Sequence, residues 1–343
     1  MRGCVVLLIL GFTSLKSSER IDIDTIQRLL PEGESIASLQ KLPGGCTNNI
    51  VLCSSDSGKR YIYRSPKERL DRRCFATTCD ITSQASNRGV SVPMYGTSIN
   101  KQAMLMEYIE PVLWPTYEDN AQPYISTMLQ LSKFHNVMRS SCICVPDLAD
   151  TIPFSFIFNP QPPHYPLPDQ YSQALCKVGQ YAQALQPSFA EMATICHGDF
   201  HTGNVLLSRA EDQTLRPWII DFDSANTGHP YFDIAKFGCK FAEDRRIALL
   251  QHYLGEEPRP EQSRQLRDMH ALFLMVVAKL RLSKAFEIAK EKEIPLMSLH
   301  EMHEVVSAPD RTSFLTINDW LTDPRQRQLS ALYALREFIQ QQG

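Results

Sequence analysis

Three oxygen-bearing side chains, Asp199, Asn204 and Asp221, stand beside two short apolar runs in clusters able to hold a metal and a phosphate. Residues 195–207 read Ile-Cys-His-Gly-Asp-Phe-His-Thr-Gly-Asn-Val-Leu-Leu, and residues 218–225 read Trp-Ile-Ile-Asp-Phe-Asp-Ser-Ala. Asn204 opens one short apolar run and Asp221 closes another, so a hairpin would carry both at neighbouring strand ends. Magnesium takes few protein carboxylates and fills its shell with phosphate oxygens and water, which makes Asn204 and Asp221 candidate metal ligands. A carboxylate such as Asp199 can accept or orient a proton. His197 and His201, next to Cys196, raise a zinc alternative, but a fourth ligand is missing.

The elements that must position these residues follow from pattern. A short helix over 21–31 ends at Pro31. A strand, a Gly-rich turn and a second strand follow over 39–53, then a turn at 54–59 and a third strand at 60–65 stopped by Pro66. Residues 67–88 read as mainly helical, and strands follow at 90–95 and 103–109, with 96–101 turning between them. Gly44 and Gly45 allow backbone N–H groups to approach a phosphate without a Cβ in the way. Alone they make an ordinary hairpin turn, and Arg64 alone is a solvated edge-strand residue. Together with Thr47 and Asn48 they favour a phosphate cradle with a planar cationic fork beside it. Beyond Glu110 and Pro111 the pattern turns helical. Residues 124–138 place Ile125, Met128, Leu129, Leu131 and Met138 on an apolar face. Further helices are expected at 170–185, 243–254, 263–291 and 325–341. Pro146–Asp169 holds seven prolines and reads as a loop.

Composition excludes several classes. The chain has 343 residues, 43% hydrophobic and 21% charged, with a net charge of −3, so it is ordinary globular material. That charge argues against a nucleic-acid or membrane-surface binder, and the short clusters Arg69, Arg72, Arg73 and Arg245, Arg246 read as solvated surface. Ten cysteines without a CxxC pair make neither a disulfide scaffold nor a zinc finger, and reduced thiols in a cytoplasm are expected. Residues 1–20 read as an N-terminal extension or a weak signal-like segment. The 271–280 run contains Lys279 and reads as a core helix rather than a membrane span.

The chain resembles the choline/ethanolamine kinase and aminoglycoside phosphotransferase branch of the protein-kinase-like fold. Four segments carry the resemblance. His197-Gly-Asp-Phe-His-Thr-Gly-Asn204 is similar to the branch's catalytic loop, with six fixed residues that arise by chance at roughly one in a hundred thousand or less. Ile220–Ala225, followed by Gly228, Pro230 and Asp233-Ile-Ala235, is similar to its metal-binding segment. Leu42-Pro-Gly-Gly-Cys-Thr-Asn48 resembles the choline kinase turn, and Tyr63-Arg-Ser-Pro66 the strand in which Arg replaces the usual kinase Lys.

The resemblance implies an α+β, bilobal fold. A small antiparallel β-rich N-lobe at 21–110 would bind the nucleotide, and a larger, mainly α-helical C-lobe at 111–343 would carry the catalytic and acceptor-binding residues. It implies ATP and Mg2+ as cofactors. Asp199, Asn204 and Asp221 would be catalytic, and Gly44, Gly45, Thr47, Asn48 and Arg64 would face the nucleotide phosphates. The Glu107–Ile109 backbone would meet the adenine, and Asp233 would brace the catalytic loop. One departure stands out: Cys74 and Phe75 occupy the place where the family has a helix Glu, for which Glu68, Asp71 or Asp80 would have to substitute.

The expected partner is a small-molecule hydroxyl acceptor, with no nucleic acid and no membrane, in the cytoplasm. Choline or ethanolamine comes first, with Asp223 as a charge and Trp320 as an aromatic face toward a quaternary ammonium. Aminoglycoside or thiamine is the enzyme alternative, and the acids within 293–323 would suit the former. A catalytically inactive nucleotide-binding scaffold is the alternative of another class. Nothing in the sequence sets the oligomeric state.

Overall fold

The structure is a computed structural model that describes residues 21–43, 47–143, 192–293, 295–302 and 324–342, together with 167, 169, 171–174 and 185. Gly44, Gly45 and Trp320, most of the proline-rich stretch and residues 1–20 lie outside the described residues. The chain divides into two compact units. One comprises the described residues up to Arg69 plus Tyr95–Met106; the other comprises Leu70–Met94 and the described residues from Glu107 onward.

The first unit is built on a five-stranded sheet in the order β1-β2-β3-β5-β4. Its strands are β1 (Ile36–Leu42), β2 (Asn48–Ser55), β3 (Arg60–Pro66), β4 (Met94–Ser98) and β5 (Ala103–Glu107). β1, β2 and β3 pair antiparallel, with Leu39 opposite Cys53 and Val51 opposite Tyr63. The two-residue alternation buries Val51, Cys53, Tyr61 and Tyr63 against Ile26 and Leu30. Ile26 lies on α1 (Ile23–Leu29), which starts at Asp22, whose carboxylate accepts from Thr25 N at 3.0 Å. The helix stops where Leu30, preceding Pro31, takes an extended conformation. β3 sits inside the sheet, so Arg64 is buried, with 7% exposure, and is not the solvated edge residue its type alone would suggest.

The strand expected at 90–95 begins instead at Met94. Pro93 has no N–H for a ladder, and the Val90 carbonyl accepts from Ile219 N at 3.0 Å, which ties that stretch to the second unit.

The helices of the second unit include α2 (Arg72–Asn87), α3 (Gln122–Arg139), α4 (Pro230–Phe237), α5 (Glu243–Leu254), α6 (Pro260–Lys292) and α7 (Pro324–Gln342). α2 starts five residues later than expected because Asp71 acts as its cap, accepting from Arg73 N at 2.8 Å and Cys74 N at 3.3 Å. On α3 the buried stripe is Tyr124, Met128, Leu131, Phe134 and Met138; Leu129 lies off it and is exposed. α6 and α7 contribute Leu266, Met269, Leu272, Leu332, Leu335 and Phe338 to one continuous core.

Arg246, expected on a solvated surface, is buried; its guanidinium donates to the Phe241 carbonyl and lies 4.0 Å from Glu337. Arg245 pairs with Glu118. Among the described residues no helix is long and apolar enough to cross a membrane.

Candidate active site

Two small antiparallel strand pairs frame the site in the second unit. β6 (Thr194–Cys196) pairs with β9 (Asn226–Gly228), and β7 (Val205–Arg209) pairs with β8 (Leu215–Ile219) in the register Val205↔Ile219. Ile220 N donates to Asn204 O at 3.0 Å and extends the second ladder by one step. That bond sets Asn204 directly before one strand and Asp221 directly after its partner, as the apolar runs imply. Asp221 itself has φ +66° and ψ +67°, a left-handed conformation rare for a residue with a side chain. Such backbone strain concentrates at functional positions. The 3₁₀ turn Phe222–Ser224 follows, with Phe222 buried against Phe134 and His197, both at 5.2 Å between ring centroids.

The loop between β6 and β7 is held from below by Asp233 of α4. Its Oδ2 accepts from His197 N at 2.7 Å and from His135 Nε2 at 3.0 Å, and its Oδ1 accepts from Gly198 N at 3.0 Å. Tyr253 lies 2.9 Å from the other nitrogen of His135, so the brace runs on into α3 and α5. Burial pushes the Asp233 carboxyl up, but the His135 hydrogen bond and the surrounding donors outweigh it and keep the group ionised. His197 Nδ1 accepts from Asp199 N at 3.2 Å, so its Nε2 carries the proton and donates to the Ile220 carbonyl at 2.8 Å. Burial lowers the pKa of this imidazole and keeps it neutral. Gly198 is required where it stands. Its φ is +77°, and a Cβ there would lie 2.1 Å from Ser224 O.

The carboxylate of Asp199 is gripped on both oxygens. Lys236 of α4 bonds Oδ1, and Oδ2 lies 3.2 Å from Asn204 Nδ2 and 3.6 Å from His201 Nε2. Burial alone would raise its pKa, but the His201 interaction and the Lys236 charge reverse this and hold it far below the usual carboxylate range. Asn204 Nδ2 also donates to the Asp199 carbonyl at 2.9 Å. His201 opens the 3₁₀ turn Thr202–Asn204, its Nδ1 accepting from Gly203 N at 3.0 Å.

The zinc alternative finds no support in this geometry, since both His197 nitrogens and His201 Nδ1 serve the backbone. A buried trio, His135, Cys196 and Asp233, has ligand atoms within 4.8 Å of one another. Its imidazole and carboxylate are already engaged, and burial pushes the Cys196 thiol up, so its role is structural.

The structure thus brings Asp199, Asn204 and Asp221 onto one loop and one hairpin, with Asp223 exposed two residues further on. In the first unit Asn48 is buried, and its Nδ2 donates to Thr47 Oγ1 at 3.0 Å, while Lys67 N donates to Thr47 O at 2.8 Å. Arg64 stands opposite Ile50 on β2. β5 ends at Glu107, where the chain passes from the first unit to the second, and Ile109 follows outside any strand or helix. The helix that lacks the family Glu has one acid, Asp80, which is exposed, and Asp71 is used as its cap. Lys236 was missed by sequence reasoning. The signal available for it was its place three residues after Asp233, on the same face of a short helix.

The donor set fits a hard divalent cation. Asn204 spends its Nδ2 on Asp199, which leaves Oδ1 as the atom able to ligate, and Asp221 adds a carboxylate.

The model of the phosphotransferase enzyme family matches residues 38–266, more than half of the chain. The chain belongs to that family, and it is a phosphotransferase. No curated protein matches it by sequence. Among solved structures it is similar to choline kinase from Cryptosporidium parvum Iowa II, with a TM-score of 0.60, 13% identity and coverage of 93% of this chain and 94% of that one. It is also similar to a choline/ethanolamine kinase family protein from Mesorhizobium loti, with a TM-score of 0.56, 19% identity and coverage of 86% and 92%. The amicoumacin kinase hAmiN, solved in complex with AMP-PNP, Ca2+ and Ami, gives a TM-score of 0.53, 13% identity and coverage of 84% and 93%. At these identities the likeness is one of fold: an α+β, protein-kinase-like fold with one β-rich and one mainly helical unit.

Proposed function

We propose that the protein transfers the γ-phosphate of ATP to the hydroxyl of a small amino alcohol, with choline or ethanolamine first. The observation that carries the reading is the locked placement of Asp199, Asn204 and Asp221 around one loop and hairpin. Asp199 orients the attacking hydroxyl. A loose phosphoryl-transfer transition state asks little of a base, which suits a carboxylate held ionised far below its usual range. Asn204 and Asp221 hold Mg2+, which when bound supplies charge neutralisation at the transferring phosphates. Thr47 and Asn48, with Gly44 and Gly45, face the nucleotide phosphates, Arg64 adds a permanent cation, and the backbone from Glu107 to Ile109 meets the adenine. The amino-alcohol class is supported by the likeness of the 42–48 turn and of Arg64 to choline kinases. The exposed Asp223 carboxylate suits an ammonium group, and Trp320 supplies an aromatic face. A reaction that consumes ATP belongs in the cytoplasm.

The test is ADP release, measured by a coupled assay over choline, ethanolamine, thiamine and kanamycin. The expected result is turnover stimulated by choline or ethanolamine, abolished by EDTA and restored by Mg2+. It should be lost by about 100-fold or more in Asp199→Ala. Stimulation by kanamycin alone would move the acceptor to the aminoglycosides. Folded, nucleotide-binding protein with no acceptor-stimulated turnover would make the chain a scaffold.

A further inference from the structure

The roles above leave Lys236 without a task, although its ammonium is bonded to one oxygen of Asp199. The side chain is 15% exposed, so this is no solvent-washed surface pair of the kind that contributes little. Its Nζ also lies 3.4 Å from the Gly198 carbonyl, so two successive loop residues are engaged. Three residues earlier on the same helix, Asp233 accepts the N–H groups of His197 and Gly198. One face of α4 therefore offers an anion to the donors of the loop and a cation to its acceptors. With Lys236 on Oδ1 and Asn204 on Oδ2, rotation of the Asp199 carboxylate about its last torsion is blocked from both sides. The rival account is that a lysine in the last turn of α4 only complements the helix dipole. That account predicts a change in stability and none in the chemical step.

We propose that Lys236 is a positioning residue for phosphoryl transfer, fixing the orientation in which Asp199 meets the acceptor hydroxyl. The proposal rests on the phosphotransfer reading above. In Lys236→Met, kcat should fall by roughly 10–100-fold, the range typical when a partner that orients a reactive ligand is lost. The acceptor KM and the nucleotide Kd should stay within about twofold, because an interaction that acts on the reacting geometry is read in kcat. Lys236→Arg keeps a cation at the same place and should recover most of the loss. Lys236→Met added to Asp199→Asn should cost nothing further, since the two act as a unit.

A kcat for Lys236→Met within about twofold of wild type would overturn the proposal. So would a loss confined to KM, or a full additional loss on top of Asp199→Asn. A crystal structure of Lys236→Met gives an arm independent of turnover. An Asp199 carboxylate turned from its present orientation supports the proposal, and one that has not moved overturns it. If the wild type turns over no acceptor, the phosphotransfer reading fails and this structural arm alone decides about Lys236.

Discussion

Replacing Asp233 by alanine tests the brace beneath the catalytic loop. The side chain is fully buried and accepts from His197 N, Gly198 N and His135 Nε2 at 2.7, 3.0 and 3.0 Å. Hydrogen bonds to a charged group are worth about 1.5–3 kcal/mol each. They do not sum independently here, because all three share one carboxylate, whose own burial is costly and disappears with it. Truncating one partner of a buried charged network costs about 3–5 kcal/mol. A unit of this size loses about 2–4 °C of Tm per kcal/mol, so Asp233→Ala should melt roughly 8–16 °C below wild type for a loss near 4 kcal/mol. Asp233→Asn keeps the shape and one acceptor but turns an N–H toward a donor, and should lose about half as much. Differential scanning calorimetry measures both, and kcat should fall along with Tm because the freed N–H groups belong to the residues next to Asp199. A shift of less than about 3 °C in Asp233→Ala would refute the argument. It would mean that the loop is held by something other than this carboxylate.

Two further expectations concern backbone shape and pH. In Gly198→Ala, φ +77° costs about 1–2 kcal/mol. The new Cβ must also displace the Ser224 carbonyl, so kcat should drop in a protein that still folds and binds nucleotide; wild-type kcat would show that the loop is not bound to this conformation. His229 caps α4, its Nδ1 accepting from Tyr231 N at 3.1 Å, and burial lowers its pKa from 6.5 to about 4. A lowered folded-state pKa means stability that is intact above about pH 6.5 and lost as the pH falls through about 4, here about 3 kcal/mol in all. His229→Asn keeps a capping acceptor but does not titrate, so its urea midpoint should fall less between those pH values. An equal fall in both proteins would remove His229 as the cause.

Much of the site was legible because its geometry is local. The five-residue step from Asp199 to Asn204 closes one tight loop, and the apolar runs beside Asn204 and Asp221 pair with each other across a short hairpin. α5 could be read to the residue from its periodicity and from Gly255, whose φ of +77° ends it. Where the sequence misled, the cause is either a local cap, as Asp71 delays α2, or a partner distant in sequence. Val90 looked like the start of a strand, but its carbonyl is taken by Ile219 N. Arg246 looked like a surface cation, but the nearby Phe241 carbonyl and the distant Glu337 receive it inside the fold. For Arg64 the edge-strand alternative falls away because β5 covers the far side of β3. The link from Tyr253 through His135 to Asp233 joins three helices, and no window of sequence contains it.

Many of the bonds that shape Asp199 and Asn204 close between His197 and Lys236, while His135 and Tyr253 brace Asp233 from outside that stretch. Most of the candidate site is therefore carried by one uninterrupted stretch of sequence. The exposed turn at Asp212 can lengthen without touching these bonds, whereas α6 packs Phe273 against Phe232 of α4 and is tied to the helix that carries Asp233 and Lys236. Length changes are therefore tolerated best at that turn and least in the helix that carries Asp233 and Lys236.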